Sequence, residues 1–244
     1  MPAVPDRQRL IVAFDLPTAR QALRLAMQLR GLIGYAKIGS ILFTAEGPDI
    51  IKRIRALGFE VFLDLKFHDI PSTVEKSCRA AVRHRVSMLT VHASGTAPML
   101  EAAAFGVRDE AARRRLRPPA VLGVTVLTSD GGERRQAITH RVTQLAKDAK
   151  RARLDGVVCS VWEAQAVRRV VGSQMRIVCP GIRLPDADAS DQRRVATPYD
   201  AIAQGADHLV IGRPITGAAN PRRAAFQMLE AMRMESTKGN RLAS

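Results

Sequence analysis

The sequence predicts a single (β/α)8 barrel, on three observations. Its 244 residues, 46% of them apolar, can bury one sizeable core and match the usual length of such a barrel. Short apolar runs alternate with amphipathic segments from end to end, and no linker or low-complexity stretch interrupts them. We therefore expect one domain over residues 1–244, with a short disordered lead-in at 1–8 and a basic tail at 236–244.

Eight apolar runs supply the predicted strands. They are rich in Val, Ile and Leu, as is typical of strands that are buried on both faces. The segments between them carry apolar residues at helical spacing, for example at 19–30 and 221–234. The predicted strands are 9–15, 35–39, 60–66, 87–93, 120–128, 156–160, 175–181 and 207–212.

Hydropathy and cysteine content predict a cytoplasmic protein with no membrane partner. No uninterrupted apolar stretch reaches the roughly 18 residues that a transmembrane helix needs. The first ten residues lack the apolar run of a signal peptide. The three cysteines, Cys78, Cys159 and Cys179, are far apart in the sequence and form no CxxC pair, which favours reduced thiols.

The net charge of +15 leaves three explanations open: a nucleic-acid partner, an anionic substrate, or a host whose proteome is rich in arginine. Most arginines lie in helical segments such as 108–119 and 147–155, where we expect them on the solvent-exposed faces of the helices. Aromatic residues make up only 4% and do not interleave with the basic runs, which argues against a nucleic-acid partner. The Arg/Pro-rich piece at 113–119 is predicted to connect a helix to a strand, because Pro118 and Pro119 stop a helix.

The ends of the predicted strands carry a cluster of polar residues. In barrels of this kind the active site lies at the carboxyl-terminal ends of the strands. Charged side chains crowd that rim, so it is the predicted site. The residues concerned are Asp15, Lys37, Asp64, Lys66, His92, Thr128, Arg183, Gly212 and Arg213.

Two charged residues of the third strand share one face. Asp64 and Lys66 are two residues apart, so both point to the barrel mouth, whereas Val61, Leu63 and Leu65 point to the helices. An inward Asp and Lys are costly unless they are paired or used. The segment therefore predicts either a structural ion pair or a catalytic pair.

Residues just beyond this strand extend the pattern. Asp69 lies where the strand gives way to a helix, Pro71 suits the first helical turn, and Thr73 follows one turn later. Asp69 as a simple helix N-cap is the alternative to a role in catalysis. Asp15 and Lys37 on the neighbouring strands favour the catalytic interpretation.

The segment DLKFHDIPSTV resembles the DxKxxDIxxT signature of the orotidine 5′-phosphate decarboxylase family. The resemblance extends, in the family's order, through residues 10–18, 36–48, 124–129, 178–185 and 208–216. It implies a carboxy-lyase that converts orotidine 5′-monophosphate to uridine 5′-monophosphate and carbon dioxide in pyrimidine biosynthesis. It also implies that the enzyme needs neither cofactor nor metal, and that it is a homodimer with shared active sites.

The resemblance also assigns roles to individual residues. It implies a catalytic Lys-Asp-Lys-Asp array of Lys37, Asp64, Lys66 and Asp69, with Lys66 as the proton donor. Arg183 is left as either a phosphate ligand or a support for a closing loop. The implied substrate-binding residues are Asp15, Lys37, Asp64 and Thr73, Thr128 at the pyrimidine, and Gln192, Gly212 and Arg213 at the phosphate.

Two segments are expected to close over the substrate. The first is 129–135, which has paired glycines, and the second is 184–194, which carries Gln192. Binding energy from a phosphate that is remote from the reacting carbon can drive such closure.

Three alternatives remain beside this interpretation. The pair His68-Asp69 suggests a metal site, but no further histidine lies at a suitable spacing. His92 reads either as a hydrogen-bonded barrel histidine or as a residue that orders the array. A hexulose-phosphate synthase and a pentulose-phosphate epimerase are rivals on the same scaffold. The synthase shares the Asp-x-Lys-x-x-Asp strand and uses magnesium. The DIPSTV segment and residues 36–48 favour the decarboxylase.

Overall fold

A computed structural model describes residues 6–126, 135–184 and 196–233. Thr128 and Gln192, predicted to bind the pyrimidine and the phosphate, lie outside these ranges. So do the basic tail at 236–244 and all but one residue of each predicted closing segment.

The described residues form a closed barrel of eight parallel strands, each paired with its neighbours in chain order and β8 paired with β1. Helices lie between the strands, so the fold is a (β/α)8 TIM barrel and the prediction is confirmed. The strands are β1 Leu10–Ala13, β2 Tyr35–Gly39, β3 Glu60–Phe67, β4 Met88–His92, β5 Ala120–Val124, β6 Gly156–Val158, β7 Arg176–Pro180 and β8 His208–Ile211.

The helices surround the barrel and bury their apolar faces against it. Several begin at a side-chain cap; Thr18, for example, accepts a hydrogen bond from the backbone N–H of Gln21. They are α1 Asp6–Arg9, α2 Ala19–Leu29, α3 Ser40–Glu46, α4 Asp49–Ala56, α5 Pro71–Arg83, α6 Ala97–Arg114, α7 Arg135–Arg151, α8 Val161–Val171, α9 Pro198–Ala203, α10 Arg213–Thr216 and α11 Pro221–Ala231.

The described part of the predicted lead-in at 1–8, residues 6–8, is helical and not disordered. Residues 6–9 form α1, which is tied to the amino-terminal end of the barrel. The carbonyl of Arg7 accepts a hydrogen bond from Gly34 N at 2.6 Å, and the Arg9 guanidinium donates to the carbonyls of Ala206 and Asp207. Polar partners outside the segment hold it in place, and its own composition gave no sign of them.

Alternation along the strands sorts side chains into two apolar layers. Phe62 packs inside the barrel with Ile11, Met88 and other inward residues, whereas Val61 and Leu63 pack between strands and helices. The predicted orientation of β3 is therefore confirmed. The register between β3 and β4 shifts between Leu63 and Phe67, which is the stretch that carries Asp64 and Lys66.

Cys78, Cys159 and Cys179 are buried free thiols, as predicted. Burial raises the pKa of the Cys78 thiol to about 12, so it stays protonated. Within the described ranges, no helix is long and apolar enough to cross a membrane.

Candidate active site

Lys37 lies between two carboxylates at the carboxyl-terminal end of the barrel. Its Nζ is 3.1 Å from Asp15 Oδ1 and 3.3 Å from Asp64 Oδ2, and the residue is only 8% exposed. Burial alone would lower the pKa of Lys37, but the two carboxylates outweigh it and raise the net pKa. The ammonium therefore remains charged in a site that is nearly closed to water.

Asp64 is the centre of the cluster. Its Oδ2 accepts a hydrogen bond from Lys66 Nζ at 2.9 Å as well as contacting Lys37, and its Oδ1 accepts one from the Thr90 hydroxyl at 2.9 Å. Burial would raise the pKa of Asp64, but the two lysines together with the Thr90 hydrogen bond lower it overall. Both carboxylate oxygens are thus engaged and the carboxylate stays ionised.

Lys66 sits in an unusual backbone conformation. Its φ is +50°, in the left-handed region that a non-glycine residue seldom adopts, and it lies within the register shift of β3. Its backbone N–H donates to Thr90 Oγ1 at 2.9 Å, which holds this conformation. Strained positions of this kind cluster at functional sites. The bulge aims an ammonium that is 34% exposed into the barrel mouth.

Gly39 lets the cluster pack closely. A Cβ atom at this position would lie 2.9 Å from Asp15 Oδ1 and 3.1 Å from Lys37 Nζ. A larger residue at the end of β2 would therefore displace the pair that joins β1 to β2.

Asp69 and Thr73 line the same pocket as Lys66 but lie outside the hydrogen-bonded cluster of Lys37, Asp64 and Lys66. Both are exposed, as is Ile70 between them, whose exposed fraction is 63%. The Asp69 carboxylate accepts a hydrogen bond from Ile70 N at 2.6 Å and contacts neither lysine. The N-cap of α5 is Ile70, so the alternative of Asp69 as the helix cap is wrong.

His68 and His92 lie side by side near Lys66, with ring centroids 5.2 Å apart. Burial, then the neighbouring His68 and then Lys66, lower the pKa of His92, so it is neutral near pH 7. In the part of the chain that the structure describes, no three His, Cys, Asp or Glu side chains are grouped as metal ligands would be.

Two arginines mark the other end of the site, beyond β7 and β8. Arg183 is 7% exposed and donates to the carbonyl of Ile182 at 3.0 Å. Its burial and the nearby Arg213 lower the pKa of its guanidinium. Gly212 ends β8 and Arg213 opens the short helix α10, with its side chain exposed. The two guanidinium groups repel each other, and an anion bound between them would offset this repulsion.

Comparisons with known proteins place this arrangement in a family. The family model described as "Orotidine 5′-phosphate decarboxylase / HUMPS family" matches residues 8–228. The chain belongs to that family. Relatives named orotidine 5′-phosphate decarboxylase include one from Syntrophotalea carbinolica, 44% identical over 94% of this chain and 96% of its own length. Another, from Halorhodospira halophila, is 46% identical over 91% of this chain and 95% of its own.

A solved structure supports the same grouping. The crystal structure of orotidine 5′-phosphate decarboxylase from Lactobacillus acidophilus aligns with a TM-score of 0.80 at 33% identity. The alignment covers 93% of this chain and all of the other. Family membership and fold thus agree over nearly the whole chain.

In this member of the family the structure joins Asp15, Lys37, Asp64 and Lys66 in one cluster, and it places Asp69 in the pocket of Lys66 without a contact to either lysine. Sequence reasoning missed Thr90, which is fully buried and bridges Asp64 to the backbone of Lys66. The signal was available, because Thr90 is two residues from His92 and so shares its inward face. A hydroxyl in an apolar strand is the residue type that can bridge two polar groups.

Proposed function

We propose that the chain converts orotidine 5′-monophosphate to uridine 5′-monophosphate and carbon dioxide, the last step of de novo UMP synthesis. The observation that carries the proposal is the cluster in which Asp64 holds both Lys37 and Lys66 at the barrel mouth. The chain matches relatives named orotidine 5′-phosphate decarboxylase over almost their full length, and their name indicates the substrate that we propose.

The reaction requires a fixed positive charge beside C6 of the pyrimidine. When the bond from C6 to the carboxylate breaks, its electron pair stays on C6 in the plane of the ring, where no π-system spreads it. A preorganised ammonium stabilises such a carbanion. Lys66 supplies it, gives one proton to C6 to complete the product, and regains a proton from solvent.

The remaining charges position this ammonium. Asp64 contacts it at 2.9 Å, and Thr90 fixes both that carboxylate and the left-handed backbone of Lys66. Lys37 and Asp15 form a second pair at the same rim, with the side chain of Asp15 half exposed to the mouth. They are the proposed ligands of the ribose hydroxyls, and no cofactor takes part.

The phosphate is proposed to bind between the loops after β7 and β8. Arg183 follows β7 and Arg213 follows β8, near enough for Arg213 to lower the pKa of Arg183, and phosphate sites are common at this place in TIM barrels. Gly212 is proposed to allow the phosphate to approach the backbone. Gln192 and Thr128 remain proposed contacts to the phosphate and the pyrimidine.

We propose a homodimer in which each site takes Asp69 and Thr73 from the partner chain. Both residues are exposed, and the carboxylate of Asp69 contacts neither Lys37 nor Lys66 of its own chain. Ile70 beside them and Ile41 at the start of α3 are exposed to 63% and 54%. Exposed apolar side chains, one of them beside an exposed carboxylate that contacts neither lysine of the array, suit a two-fold interface.

The rival function is a magnesium-dependent hexulose-phosphate synthase on the same scaffold. One observation disfavours it. The ammonium of Lys37 already occupies the space between the carboxylates of Asp15 and Asp64, where a divalent cation would bind. A cation there would have to displace a buried charge that is well satisfied.

An assay of both substrates separates the two functions. We expect purified protein treated with a chelator to consume orotidine 5′-monophosphate, followed by the change in ultraviolet absorbance. The same protein with magnesium, formaldehyde and ribulose 5-phosphate should form no hexulose phosphate. Loss of the first activity in chelator and its return with magnesium would contradict the proposal, as would synthase activity alone.

The phosphate site predicts a substrate-dependent effect of Arg213→Ala. We expect kcat/KM for the nucleotide to fall about 10- to 100-fold, the worth of one charge-assisted hydrogen bond. Turnover of orotidine, which lacks the phosphate, should hardly change. Arg223→Ala on α11 removes an equally exposed arginine away from the site and is the control. Equal losses for both substrates would show that Arg213 supports the fold.

A further inference from the structure

The amino-terminal end of the barrel contains a second cavity, opposite the proposed active site. Its volume is about 700 Å³, within the range of small-molecule sites. The first residues of five strands line it: Tyr35, Glu60, Met88, Ala120 and Arg176. The proposed decarboxylation uses none of them.

The cavity is strongly basic. Five arginines line it, Arg55, Arg85, Arg108, Arg117 and Arg176, against two carboxylates, Glu60 and Asp155. The excess of three positive charges lies in a concave, partly desolvated place, where charges act on a ligand more strongly than on an open surface.

The two carboxylates are already engaged. Glu60 accepts a hydrogen bond from the Ser87 hydroxyl, and Asp155 Oδ2 accepts one from Val121 N at 2.9 Å. Asp155 also lies 3.8 Å from Arg108, which donates to a backbone carbonyl. Within residues 6–126, 135–184 and 196–233, the other four arginines form no ion pair with a carboxylate, so their charge is available to a ligand.

One wall of this cavity is the Arg/Pro-rich connection at 113–119, which has no role in the proposed reaction. Arg115 ends α6 in the left-handed conformation, and Leu116, Arg117 and two prolines then lead into β5. Proline fixes the backbone, so Arg117 is presented at little entropic cost. Leu116 with Val86, Met88 and Val107 makes part of the lining apolar.

A hydroxyl completes the site. Tyr35 is half-buried, and its phenol lies within electrostatic reach of Arg117 and Arg176. Burial, with Glu60, raises the pKa of Tyr35 against the effect of these arginines, so the phenol keeps its proton and can donate to an anion.

We propose that this cavity is a second ligand site. It binds a polyphosphate anion whose negative charges pair with the guanidinium groups of Arg117 and Arg176. Concavity and size select a small ligand over a nucleic acid. Two sources share this chemistry, a nucleoside triphosphate and inorganic polyphosphate. The apolar wall offers a place for the base of the former.

Calorimetric titration of the full chain at low ionic strength tests the site, with saturating uridine 5′-monophosphate present to fill the proposed catalytic site. The probes are ATP, inorganic tripolyphosphate and a single-stranded oligonucleotide. We expect saturable binding of about one small anion per chain. Tighter binding of ATP identifies the source as a nucleotide, and equal or tighter binding of tripolyphosphate identifies it as inorganic polyphosphate.

Matched double variants distinguish binding in the cavity from binding to the positive charge of the protein surface in general. Arg117→Gln with Arg176→Gln should weaken binding about tenfold or more, since charge-assisted hydrogen bonds are lost. Arg24→Gln with Arg53→Gln removes the same charge from exposed helix positions that do not line the cavity, and it should leave binding nearly unchanged. Equal weakening by both pairs would overturn the proposal.

A single variant protects the test against misfolding. Arg117 is exposed, so Arg117→Glu should fold with an unchanged midpoint of thermal unfolding and still bind the anion far more weakly. Wild-type affinity in this variant would refute the site. Binding of the oligonucleotide without binding of either small anion would refute it too.

Discussion

Lys66→Ala should abolish nearly all turnover while the protein still folds. The substitution removes both the charge that stabilises the carbanion and the proton that C6 receives. We expect kcat to fall about 1,000-fold or more, as for the loss of a general acid or of a preorganised electrostatic group. Asp64 would keep Lys37 at 3.3 Å and the Thr90 hydrogen bond, so no carboxylate is left buried without a partner.

Steady-state kinetics and binding of uridine 5′-monophosphate together check this prediction. Binding of the product nucleotide should persist, because the proposed phosphate and ribose contacts remain. Lys52→Ala, at an exposed position on α4, is the matched control and should behave as wild type. Activity of the Lys66 variant within tenfold of wild type would rule out the proposed acid.

Subunit mixing should restore activity from two inactive variants. Lys66→Ala and Asp69→Ala would each be nearly inactive as homodimers if every site takes one residue from each chain. After they are unfolded, mixed and refolded together, about half of the dimers are hybrids, and each hybrid has one site with both lesions and one with neither. By this symmetry, activity should return to about a quarter of wild type.

The chain offers a control with the same design. Lys37 and Lys66 contact one carboxylate, Asp64, within one chain, so both serve the same site. A mixture of Lys37→Ala and Lys66→Ala should therefore stay inactive, because every site keeps at least one lesion. If the mixture with Asp69→Ala also stays inactive, Asp69 serves its own chain and the shared-site proposal is wrong.

The barrel could be predicted from the sequence because its signals are local. Apolar runs and amphipathic segments alternate, and period-two alternation put Asp64 and Lys66 on the inward face. The ends of the elements were less predictable. The strand predicted at 9–15 spans only Leu10–Ala13, and the helix predicted at 221–234 ends at Ala231.

The parts that could not be predicted depend on contacts between distant segments. The left-handed backbone of Lys66 follows from a register shift against β4 and from a hydrogen bond to Thr90, which no local pattern encodes. Charge and two prolines predicted a disordered lead-in, whereas the partners that hold α1, Gly34 and Asp207 among them, are remote in sequence. The basic cavity likewise gathers arginines from five separate segments.

A crystal structure of the protein with uridine 5′-monophosphate would show whether Lys66 faces the reacting carbon. We expect Lys66 Nζ to lie about 3 Å from C6, within the reach of a proton donor. The phosphate should lie between Arg183 and Arg213, and the ribose beside Asp15 and Lys37. A pyrimidine whose C6 faces away from Lys66 would contradict the role of Lys66 as the proton donor, and a phosphate bound away from the two arginines would contradict the proposed phosphate site.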